Sequence, residues 1–186
     1  YENGLSTKLL GQIKNVNYEV NNIDKYKEDN NNELFGAFGY LAELNLYKQN
    51  NNLSRSFLTP KVLLRYAPGG MRKEEGGTQL TTDKLFNMNR VNENSNFENG
   101  LSASVGLDYE ISDQDKKFAL SIGQIINEKE NKKMGSKTSL DEKLSDLVGS
   151  TSFEVNEKFK INYNFLVDQN FKETNYNQIS SIIDFN

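Results

Sequence analysis

The chain has 186 residues, a formal net charge of -4, and neither cysteine nor histidine. That length suits one domain, and the missing residue types exclude a disulfide framework, Ser-His-Asp or Cys-His catalysis and most zinc sites. The scattered lysines leave no basic footprint for nucleic acid. A mean hydropathy of -0.73 suggests a polar chain, yet aromatics at 11% exceed what disordered segments carry. No run reaches the ~18 consecutive apolar residues of a membrane helix. A membrane β-barrel reconciles these facts, because only alternate strand residues face lipid.

In chain order, Leu5 to Ile13 alternate, then the phase changes so that Val16, Tyr18 and Val20 are apolar. A bulge near Lys14 or Asn15 would account for the shift. Phe38, Tyr40, Ala42, Leu44 and Leu46 then oppose Ala37, Gly39, Leu41, Glu43 and Asn45, and Val62, Leu64 and Tyr66 oppose Lys61, Leu63 and Arg65. The cleanest alternation follows. Leu101, Ala103, Val105, Leu107, Tyr109 and Ile111 share one face, and Ser102, Ser104, Gly106, Asp108 and Glu110 the other.

Further strands are predicted at Phe118–Gly123, at Leu147–Val155 and at Phe159–Asp168, where Lys160, Asn162 and Asn164 take the wet side. A short last one is predicted at Ile179–Phe185. About eight strands of roughly ten residues suit tilted membrane crossings better than a soluble sandwich.

Connections alternate between long and short: Asn21–Asn32, Gln49–Arg55, Pro68–Phe97, Ser112–Lys117, Glu128–Lys143 and Asn156–Lys158, with Phe171–Asn175 intermediate. In successive hairpins the short ones gather at one end and the long ones at the other, as in outer-membrane barrels. Tyr47, Tyr66, Tyr109 and Phe159 sit near strand ends, where they suit either an aromatic girdle or simple strand preference. The Asn30-Asn31-Asn32 and Asn50-Asn51-Asn52 runs read as compositional drift.

Little here points to chemistry. Asp108 and Glu110 share a wet face, as a glycoside-cleaving pair would, but a hydrated lumen wall needs the same pattern. Asp113 and Asp115 suit a turn at least as well as calcium. The Gly69-Gly70 and Gly76-Gly77 pairs lack the strand-glycine-helix context of a phosphate loop. A connection as long as Pro68–Phe97 is expected to have structure of its own. Its Leu80–Arg90 stretch is predicted to form a short helical turn, the loop folding over or into the barrel mouth with Arg90 against lumen carboxylates.

Four ordered landmarks carry a resemblance. Phe57 to Pro68, with Leu58-Thr59-Pro60 followed by Tyr66-Ala67-Pro68, resembles the "L-T-P-K/R" strand and "Y-x-P" of the LptD family of LPS-assembly proteins. Leu85-Phe86-Asn87-Met88-Asn89-Arg90 is similar to that family's "L-F-D-x-N-R-F" segment. Leu120 to Gln124, ending in Gly123-Gln124, resembles its "S-x-G-Q" strand, and Ser145-Asp146-Leu147-Val148 its "S-D-x-V" start. The resemblance covers Phe57 to Phe165.

It implies an all-β fold, with residues 1–186 forming about eight consecutive strands of a larger transmembrane antiparallel barrel in the outer membrane. No signal peptide stands at Tyr1 and the chain stops abruptly at Phe185-Asn186, so an internal stretch is expected, without the family's jelly-roll and lateral-gate strands. The implied partners are lipopolysaccharide as cargo, an LptE-like lipoprotein plug and outer-membrane lipid, with no nucleic acid. No cofactor, metal or catalytic residue is expected. Ser102, Ser104, Asp108, Glu110, Lys160, Asn162 and Asn164 would face the lumen. The residues alone leave open a porin-like or small closed barrel, and a soluble β-sandwich binding module.

Overall fold

The computed structural model describes residues 4–21, 23–24, 29–49, 54–74, 76–77, 79–156 and 158–185. They form one antiparallel sheet, and helix among them is limited to a single 3-10 turn at Ser136–Thr138. The strands are β1 (Leu5–Val20), β2 (Asp29–Leu44), β3 (Leu46–Gln49), β4 (Ser54–Ala67), β5 (Gly100–Asp113), β6 (Lys116–Asn127), β7 (Leu147–Asn156), β8 (Phe159–Val167) and β9 (Thr174–Ile183). They neighbour one another in chain order, except that β3 lies beside β4 in line with β2. β1 and β9 are the two edges, so the sheet is open rather than closed. The strands make one sheet, not the two packed sheets of a sandwich.

β2 and β3 are one strand interrupted. Phe38↔Tyr66 and Leu46↔Leu58 keep the same register against β4, with the break opposite Thr59-Pro60. Pro60 has no N–H to give a ladder, which is why strand prolines sit at such interruptions. The expected bulge near Lys14 is not there. β1 pairs with β2 without a shift from Leu5↔Leu44 to Val20↔Asp29. The phase changes for another reason: Leu9 and Ile13 lie on the outer side of β1, whereas Val16 and Tyr18 lie on its inner side, where Lys14 and Tyr18 meet Asn96 and Arg72 of a loop. The first connection is therefore shorter than Asn21–Asn32, and the last strand begins at Thr174, not Ile179. The runs at residues 50–52, the first residue's surroundings and Asn186 lie outside the described residues.

Cross-strand registers sort the side chains onto two faces. Leu9, Ile13, Leu34, Phe38, Leu64, Val105 and Ile179 lie on one face, all well exposed, with Leu9 at 86%. The long connections 68–99 and 128–146 lie over part of the other face. We call these the bare and covered faces. The long connections emerge at one end of the sheet, and Gln114-Asp115 and the turn before Phe159 at the other. Gln114 has φ 51, the conformation that a two-residue hairpin turn needs. Tyr66, Tyr109 and Phe159 are on the bare face, whereas Tyr47 pairs with Phe57 on the covered one, so a girdle of all four is not formed.

Candidate functional site

The covered face and its two loops form the most elaborated region of the molecule. Three glycines on that face are notches for the first loop. A Cβ on Gly39 would stand 2.7 Å from Met88 Sδ, one on Gly106 2.8 Å from Phe86 Cζ, and one on Gly123 2.8 Å from Leu85 Cδ1. Gly106 and Gly123 are also direct cross-strand partners. A glycine inside a strand often marks such a close approach. The Leu85–Arg90 segment therefore lies flat across β2 to β6. The Leu80–Arg90 stretch, expected to form a short helical turn, contains two successive turns, with Lys84 N donating to Thr81 O and Asn87 N to Lys84 O.

Arg90 locks this segment. Its Nε donates to Glu98 Oε2 at 2.7 Å, its Nη2 to Glu98 Oε1, and the same Nη2 to Ser102 Oγ at 2.9 Å. Arg65 of β4 reaches the same group, with Nε donating to Met88 O at 2.6 Å and Nη2 to Glu98 O. Arg65, Arg90 and Glu98 are all buried. Asn89 Oδ1 accepts from Glu98 N at 3.0 Å. Arg90 is thus buried against a carboxylate as expected, but that carboxylate belongs to the loop's own end, not to Asp108 or Glu110. Burial alone would raise the Glu98 carboxyl. Attraction to Arg90, then Arg65, with hydrogen bonds from Arg90, outweighs it and holds the carboxyl below the ordinary range.

The other flank is tied to the first hairpin. Arg72 pairs with Glu33 and lies 5.3 Å from the Tyr18 ring and 5.8 Å from the Phe35 ring. Lys14 Nζ donates to Asn96 O at 3.1 Å. The second loop packs on the first through Glu74 N to Lys133 O at 2.8 Å and Asn131 Nδ2 to Asn99 Oδ1 at 3.1 Å. Met71, Leu80, Leu85, Met134 and Leu140 from the loops join Ile125, Val148 and Leu166 of the sheet in one buried cluster.

Gln124 and Ser145 meet as well. Gln124 Nε2 donates to Ser145 O at 2.7 Å, and buried Ser145 Oγ accepts from Ile125 N at 2.9 Å. Asp146 accepts from Asn175 at 2.9 Å. Burial pushes its carboxyl above the ordinary aspartate range, with the Asn175 hydrogen bond working the other way. Leu58 and Pro60 face Tyr109 and Leu107 across β4 and β5, away from the loops, and Thr59 Oγ1 lies 3.3 Å from Asn45 Oδ1.

All seven residues expected on the wet side lie on the covered face. Ser102 and Ser104 are buried beneath the first loop. Asp108 pairs with Lys61, Glu110 with Lys117 at 2.9 Å, and Lys160 with Glu154 at 2.6 Å. Asn162 and Asn164 stand opposite Ser152 and Ser150. Asn164 also borders a cleft of about 320 Å³ between the first loop and β7 to β9, lined by Leu80, Thr82, Val148, Leu166 and Tyr176.

Sequence reasoning missed the roles of Arg65, Arg72, Glu98 and the glycine notches. Gly39, Gly106 and Gly123 in otherwise regular strands were the available signal. No group of three acidic residues able to hold a metal ion is found among the described residues. The family model LptD: LPS transport system D matches residues 12–181. No curated protein matches the chain significantly.

Proposed function

The chain belongs to the LptD family, LPS transport system D, and from that premise we propose that it is a stretch of outer-membrane barrel wall along which lipopolysaccharide passes. One observation carries this reading. A single sheet presents an exposed apolar face on one side and a polar, loop-covered face on the other.

The bare face has the height a membrane requires. Leu101 to Ile111 extend ~34 Å at about 3.4 Å per residue. Tilted by ~45°, that length covers about 25 Å, the apolar band of an outer-membrane barrel. Above Ile13 the same face of β1 turns polar at Asn15, Asn17 and Glu19. In this reading the long loops are extracellular and the short turns periplasmic. Strands outside this chain pair with β1 and β9 to close the barrel, and a lipoprotein plug of the LptE kind faces the polar side. In this reading the wall guides passage and carries no catalytic step.

The test is thiol labelling of single cysteines along Leu101–Ile111, in the full-length protein in native outer membrane. Protection at 101, 103, 105, 107, 109 and 111 with labelling at 108 and 110 supports the reading. Labelling of both sets overturns it. If neither set labels, a plug fills the lumen at that height, and crosslinking to the lipoprotein should then succeed.

A further inference from the structure

Below the loops, toward the short turns, the covered face has a belt of charge that runs from β1 to β8. Lys8 pairs with Glu43 at 3.0 Å, and Glu43 lies directly opposite Lys61. Lys61 pairs with Asp108. Glu110 pairs with Lys117, which lies opposite Glu154, which in turn pairs with Lys160. Four lysines and four carboxylates are thus paired across the wall, with Asp108 and Glu110 adjoining on β5, and the charges of these eight balance. Arg55 stands in the same cross-strand row as Lys117, Glu154 and Lys160, opposite Ser112, and brings one further positive charge to that row.

The belt differs from the buried loop lock in kind as well as place. The lock uses arginines in fixed multidentate contacts. The belt uses lysines, compact point charges on flexible stems, and its side chains are partly exposed. Such pairs are individually weak and reform readily. A wall with unpaired lysines would hold phosphate strongly in a confined channel, and one with unpaired carboxylates would repel it. Passage requires sites weak enough to leave.

Resting on the translocon reading above, we propose that the belt makes this wall non-retentive toward an anionic, phosphate-bearing glycolipid, each lysine being neutralised within the chain so that none captures the cargo. The carboxylates, not the lysines, are then the residues that keep transport moving.

The test measures binding of fluorescent lipopolysaccharide, and of its dephosphorylated form, to full-length protein in detergent. Asp108→Asn and Glu154→Gln should each tighten lipopolysaccharide binding by at least about fivefold. The gain should vanish at high salt and with the dephosphorylated probe. Lys61→Met and Lys160→Met should bind no more tightly than the parent, and the exchange Lys61→Asp with Asp108→Lys should restore parental affinity. If the neutralising variants fail to fold, Ala119→Lys adds a cation without deleting a partner and should show the same gain. Unchanged affinity in the folded variants, or an equal gain in the lysine variants, overturns the inference. Labelling of Ser121→Cys from water in intact membranes tells the failures apart. If it labels, only the belt's role falls; if it stays protected while Leu107→Cys labels, the wall reading falls with it.

Discussion

Phe86 lies so close over Gly106 that a β-carbon there would stand 2.8 Å from its Cζ and 2.9 Å from the backbone oxygen of Ile122. The second contact is the harder one, since a ring can shift but a ladder carbonyl cannot do so without loss of pairing. Gly106→Ala should therefore destabilise the docked loop by roughly 1–3 kcal/mol, the usual cost of overpacking. Gly11, on the bare face, has nothing within 4 Å of such an atom. Gly11→Ala should be neutral within about 0.5 kcal/mol. Limited proteolysis of the 68–99 loop in the two variants checks the contrast.

Arg90 and Glu98 form a buried, two-point ion pair. Removing one partner leaves the other charge stranded, which typically costs about 3–5 kcal/mol. Arg90→Ala should expose the loop to protease while the sheet below keeps its strand signal in circular dichroism. Unchanged sensitivity would show that the glycine notches alone hold the loop.

The same pair sets a pH response. Glu98 is held below its ordinary range in the folded loop, so its contribution is complete above the unfolded-state value of ~4.3 and is lost as pH falls through the folded one. Hydrogen exchange of residues 85–98 should accelerate on acidification below that value. In Glu98→Gln this acid-dependent step should be missing, the loop being already loosened at neutral pH.

Val105 is an exposed residue in the middle of the bare face. In the barrel reading, Val105→Arg places a cation against lipid and should cost about 2–4 kcal/mol. Ala119→Arg, on the covered face opposite Glu110, should be tolerated. The amount of each variant assembled in the outer membrane distinguishes them; equal assembly would count against lipid contact at Val105.

Much of this architecture is local and hence readable. Alternation along Leu101–Ile111 assigns faces because successive β-carbons point to opposite sides of a strand, and the long and short connections assign ends. β1 shows where that reading breaks down. The changed phase after Ile13 resembles a bulge in sequence, but the backbone is regular and it is the environment of the inner face that changes. Only the fold shows that Asn96, 82 positions from Lys14, and Arg72, 54 from Tyr18, supply that environment.

The sequence by itself determined the all-β class, the two faces and the sense of the hairpins, since strand period and turn length are properties of adjacent residues. Tertiary structure alone decided that Glu98 rather than Asp108 receives Arg90, that three glycines seat one loop, and that eight charges from seven strands pair across the wall. Those relations depend on cross-strand register and loop docking, which bring together residues far apart in the chain, and no local pattern encodes them.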